Sequence, residues 1–177
     1  MLFRSGFIRG VLDVTTTELC DELVGGELTA GPNRLTAAGR AGIPQAVSLG
    51  ALDMVNFGPR ETVPKQFDDR NLYVHNDQIT LMRTTPEECA KLGREVGEKL
   101  SAATGPTALF IPLKGVSMIA VEGGPFHDAD ADAALFDAVR AACGANVEVI
   151  ELDLDVNDPA FSQAMADWLS AKLEETA

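Results

Sequence analysis

The chain has 177 residues, 46% hydrophobic and 23% charged, which suits one compact α/β-type domain and leaves little room for two complete ones. Fourteen basic residues against 27 acidic ones give a net charge of −13, so the surface repels nucleic acid and anionic membranes at long range, and no Lys/Arg-rich tract offsets it. No run reaches the ~18 uninterrupted apolar residues of a membrane span, and the opening residues lack a signal-peptide core and cleavage site.

The first predicted strand is "FIRGVLD" (7–13), followed by Thr15-Thr16-Thr17-Glu18, which matches a capping box at the head of a helix. Strands then follow at 44–50 ("PQAVSLG") and 71–76 ("NLYVHN"). Thr85-Pro86-Glu87-Glu88 is a second capping box, with proline at the first helical position. The helix it opens puts Cys89, Leu92, Val96, Leu100 and Ala103 on one face, with Glu87/Lys91 and Glu95/Lys99 paired on the other. A strand at 107–113 leads to a helix whose apolar face carries Ala131, Leu135 and Val139. A last strand at 146–153 precedes a helix that starts at Asp158-Pro159 and carries Phe161, Met165, Trp168 and Leu169.

Strands that alternate with helices, several of them almost continuously apolar, predict an open, mostly parallel, Rossmann-like sheet with helices on both faces. The first strand starts almost at once, and a buried apolar strand there needs neighbours on both sides. The pattern therefore reads as an N-terminally truncated subdomain. Cys20, Cys89 and Cys143 are odd in number, show no C-x-x-C spacing and fall within helical patterns, which predicts reduced, mostly buried thiols in a cytoplasmic protein.

Ligands of open parallel sheets lie beyond the carboxyl ends of the strands. Those ends supply Asp13, Thr15, Thr16, Thr17 and Glu18; Asp53, Asn56 and Phe57; His75, Asn76 and Asp77, followed by Arg83 and Thr84; and Lys114, Gly115 and Ser117, followed by His127 and Asp128. Hydroxyls, helix-start amides and two cations on one edge suit an anionic ligand, with phosphate at Thr15–Thr17 and a bidentate contact from Arg83. Asp13, Asp53 or Asp128 are oxygen donors for a magnesium ion carried by such a phosphate. For catalysis, His75 or His127 is a candidate base, and Ser117 or Cys20 a candidate nucleophile, with no triad defined. Each residue also has a plain structural reading: cap, surface ion pair or loop side chain. Neither G-x-x-x-x-G-K-[ST] nor G-x-G-x-x-G occurs, so a Walker-type cradle is excluded, and two histidines without paired ligands make a structural zinc site improbable.

The runs "GVLDVTTTELCDELVGGELTAGPNRLTAAGRAGIPQAVSLGALDMVNFGPRETVP", "RNLYVHN", "TLMRTTPEE", "PFHDADADAALF" and "NDPAF" resemble the bacterial and plant ATP-binding-domain family typified by the tomato mosaic virus resistance protein. The resemblance covers residues 6–177 as most of a C-terminal subdomain and leaves 1–5 as a leader outside the pattern. It implies Mg-ATP or a similar phosphorylated ligand, self-association, and an N-terminal subdomain as partner. The expected function is a nucleotide-binding module. The alternatives are an enzyme acting on a small phosphorylated or carboxylated metabolite, and an oligomerisation or partner-docking module.

Overall fold

A computed structural model describes residues Ser5–Glu175. Apart from Ser5, the leader read at 1–5 lies outside the described residues, as do the last two of the chain.

Four strands form a parallel sheet: β1 (Val11–Thr15), β2 (Gln45–Gly50), β6 (Thr107–Pro112) and β7 (Val147–Leu152), in the order β1-β2-β6-β7. The two central strands are buried at every residue, as their largely apolar runs require. Their side chains alternate between two layers. Val47, Leu49, Leu109 and Ile111 enter a large core with helices α1 (Glu18–Val24), α3 (Pro86–Ser101) and α4 (Ala129–Ala142), while the short α2 (Ala37–Ala41) buries Ala38 and Gly39. Ala46, Ala108 and Phe110 face the other way, onto Phe161 and Met165 of α5 (Pro159–Glu175). Helices thus cover both faces. No helix among the described residues is long and apolar enough to cross a membrane.

The closest helix pairing follows from two glycines. A Cβ on Gly93 would lie 2.5 Å from the Leu135 carbonyl oxygen, and one on Gly97 would lie 2.6 Å from Ala142 Cβ. Small residues on both helices let α3 and α4 approach backbone to backbone.

A second sheet departs from the sequence reading. The strand at 71–76 does not join the parallel sheet. As β4 (Leu72–Asn76) it pairs antiparallel with β5 (Ile79–Arg83), which pairs in turn with β3 (Met54–Phe57). Only Asp77 and Gln78 separate β4 from β5. That link makes a hairpin and is far too short for the crossover that a parallel neighbour needs. β3 and β5 have no counterpart in the sequence reading. The first strand is also displaced, from 7–13 to Val11–Thr15, because its pairing begins where Val11 N–H donates to the Pro44 carbonyl at 2.9 Å.

The caps divide similarly. Thr85 and Glu88 form the reciprocal capping box, with Glu88 N–H to Thr85 Oγ1 at 3.2 Å and Thr85 N–H to Glu88 Oε2 at 2.8 Å. Asp128 caps α4 by accepting from Ala131 N–H at 3.0 Å. The box expected at Thr15–Glu18 is not formed. Thr17 precedes α1 without a side-chain cap bond and donates instead to the Met54 carbonyl at 3.0 Å. The carbonyls of β2 and β3 lie over this turn and take the hydroxyls.

Candidate functional site

An open cleft of about 610 Å³ lies beyond the carboxyl ends of β6 and β7, bounded on one side by the first turns of α4. Leu113, Val121, Ala129, Ala133 and Phe136 supply apolar walls, and Lys114, Glu122, His127, Asp132 and Asp155 supply the polar groups. This is the position at which an open parallel sheet receives ligands. Lys114 lies 2.9 Å from Asp153, and both side chains are largely exposed, so the lysine remains free to exchange partners.

Beneath the cleft is a buried polar layer. Arg83, at the end of β5, is 4% exposed, and its donors are distributed among the Phe126 carbonyl (2.8 Å), Thr84 Oγ1 (3.0 Å), Cys89 Sγ (3.7 Å), the Asp128 carbonyl (3.5 Å) and Asp132 Oδ1 (2.6 Å). The guanidinium thus ties the antiparallel sheet to the loop and helix that wall the cleft. Burial pushes the Asp132 carboxyl above its usual range, and the Arg83 charge pulls it back. Asp53, in the turn between β2 and β3, is fully buried; its Oδ2 accepts from Ser117 Oγ at 2.7 Å, while its Oδ1 has no hydrogen-bond partner among the described residues. Burial raises its pKa too, against the opposing Ser117 hydrogen bond and Arg83 charge. Two residues before Asp53, Ala51 sits at φ 60°, the left-handed region that non-glycine residues seldom occupy and that concentrates at functional edges.

A separate network holds the threonine turn. Thr16 is fully buried, and its amide donates to the Gly50 carbonyl at 2.8 Å. Asn56 Nδ2 donates to Thr17 Oγ1 (2.8 Å) and Asp21 Oδ2 (2.7 Å), and Asn56 N–H donates to Asp21 Oδ1 (2.8 Å). Thr15 is exposed; its carbonyl accepts from Arg34 at 3.1 Å, and Glu18 accepts from the same guanidinium at 3.2 Å. Asp13 is paired with Arg34 Nη2 at 2.7 Å. The hydroxyls of Thr16 and Thr17 and the side chains of Asn56 and Asp13 are thus bonded within the fold.

The remaining residues scatter. His75 is exposed on β4, its ring centroid 6.4 Å from that of Tyr73, and Asn76 accepts from Gln78 N–H in the hairpin turn at 2.9 Å. Neither lies at an end of the parallel sheet, since β4 belongs to the other one. Ser117 Oγ accepts from the amides of Ile119 (3.2 Å) and Ala120 (3.1 Å), and among the described residues no hydrogen bond joins it to a histidine. Cys20 and Cys89 are buried, and burial raises both thiols, so neither is an activated nucleophile. Asp13, Asp53 and Asp128 do not converge, and among the described residues no three His, Cys, Asp or Glu side chains gather to hold a metal ion. The cleft therefore unites Lys114 and His127 from the sequence list with three acids absent from it: Glu122, Asp132 and Asp155. Asp155 had a signal, since it follows the carboxyl end of the last strand. Arg34, in an irregular turn, had none.

Comparison with known proteins gives consistent matches. A family model described as the C-terminal domain of an uncharacterised protein family (UPF0261) matches residues 1–173. A UPF0261 protein of Clostridium tetani is 55% identical over 98% of this chain and 43% of its own length. A UPF0261 protein of Rhizobium meliloti is 49% identical, over 92% of this chain and 42% of the relative. The ToMV resistance protein Tm-1 of Solanum lycopersicum is 40% identical over 94% of this chain and 22% of its own length. The chain thus spans less than half the length of these relatives.

Proposed function

The chain belongs to the UPF0261 family, and on that premise we propose that it is the nucleotide-binding module of a larger cytoplasmic protein, taking an ATP-type ligand with Mg²⁺ in the cleft at the ends of β6 and β7. The observation that carries this reading is the composition of the cleft. Apolar walls from Leu113, Val121 and Phe136 suit a base, and Lys114 is the one basic side chain, other than the imidazole of His127, among the lining residues.

Charge balance supports magnesium as part of the ligand. Asp132 is offset by Arg83 and Lys114 by Asp153, which leaves Glu122 and Asp155 facing the space. A bare phosphate is repelled there, whereas a magnesium phosphate brings its own compensating charge. Three unpaired thiols fit a reducing compartment.

Calorimetric titration with Mg-ATP tests the site. Ala133→Trp places an indole in the cleft from an exposed position on α4 and leaves the core intact. Affinity is expected to fall by about tenfold or more in this variant, and to collapse in EDTA. Equal affinity in variant and parent would remove the ligand from this cleft.

A further inference from the structure

The two edges of the parallel sheet differ in chemistry. On β7, Glu148 accepts from Trp168 Nε1 at 2.7 Å and Glu151 from Arg140 Nε at 2.6 Å, so that edge carries charged side chains held by neighbours, the usual guard against strand addition. On β1 the single charge, Asp13, is turned into its pair with Arg34, and Leu12 is 38% exposed. Phe7, in the segment leading into β1, is 81% exposed. Among the described residues β1 pairs on one side only, with β2.

We propose that the outer edge of β1 is a strand-addition site, filled by a parallel strand from the polypeptide that precedes this domain in the longer family proteins. The matched family model describes a C-terminal domain, and the Clostridium tetani relative is covered over only 43% of its length, so such a protein carries a long polypeptide ahead of it. That polypeptide is joined to the residues that lead into the amino end of β1. Tethering gives its strands a far higher effective concentration at this edge than any separate molecule has. A right-handed crossover from an outer strand into β1 is the usual connection between parallel neighbours. A second copy has no comparable tether.

Hydrogen–deuterium exchange on the full-length Clostridium tetani relative and on this chain tests the assignment, read at the segment matching Val11–Thr15 with β6 as the internal control. The segment is expected to exchange about tenfold more slowly, or slower still, in the full-length protein, with β6 equally protected in both. Equal exchange of the β1 segment would overturn the proposal. Leu12→Lys in this chain, followed by sedimentation, separates the other occupant. The oligomeric state is expected to be the same in parent and variant, and a parent dimer dispersed by Leu12→Lys would give the edge to a second copy instead.

Discussion

Arg83 and Asp132 meet at 2.6 Å in a pair almost closed to solvent, with the arginine on the antiparallel sheet and the carboxylate on the helix that walls the cleft. The pair is the mechanical link between the small sheet and the ligand cleft. Removing one member leaves the other buried and uncompensated. Arg83→Gln is expected to lower unfolding stability by about 3–5 kcal/mol in urea titrations. A loss within ~0.5 kcal/mol, the range of an ordinary surface change, would contradict the clamp.

Stability should depend on pH through Asp53. Burial raises its folded-state pKa above the unfolded value, so between the two values the folded chain holds more protons. Its contribution is therefore fully present below the ordinary carboxyl range and is lost as pH rises through the raised folded pKa. Asp21 and Asp132, also raised by burial, act in the same direction. In Asp53→Asn the Tm should fall less between acid and neutral pH than in the parent, as thermal melts across that range will show. Parallel curves would mean that Asp53 does not titrate in the fold.

The close approach of α3 and α4 sets opposing terms against each other at Gly97. Alanine would gain about 1 kcal/mol in helix propensity, but its Cβ meets Ala142 at 2.6 Å, and overpacking of this kind costs about 1–3 kcal/mol. The steric term should win. Gly97→Ala is expected to lower the melting temperature seen by circular dichroism, and a rise would show that α4 can yield.

His75 stands on the antiparallel hairpin, away from the carboxyl ends of β6 and β7. His75→Ala is therefore expected to leave Mg-ATP affinity within about twofold of the parent, the range of a surface change. Calorimetry showing a tenfold loss would bring the hairpin into the site.

Much of the architecture was legible because burial writes itself into residue order. The largely apolar runs of β2 and β6 and the apolar stripe of α3 needed no structure to be read. The hairpin was hidden because Asp77-Gln78 is not one of the strong Asn-Gly-type turn signals, and because β3 is only four residues long. Thr15–Glu18 reads as a capping box by local chemistry, yet carbonyls some 30 residues away claim the hydroxyls. Arg83 looked like a ligand cation because sequence cannot show that Phe126, Asp128 and Asp132 fold over it. The cleft itself was half legible. Lys114 and His127 stood out by position, whereas Asp132 lay within the acidic run at 128–132, in which Asp128 caps α4 and Asp130 is exposed.

The most direct test is to map Mg-ATP onto this chain by amide chemical shifts of the ¹⁵N-labelled protein. Saturable changes are expected, concentrated at residues 113–122, 127–136 and Asp155. The largest changes at Thr15–Glu18 and Asn56, or no saturable change anywhere, would contradict the proposed site.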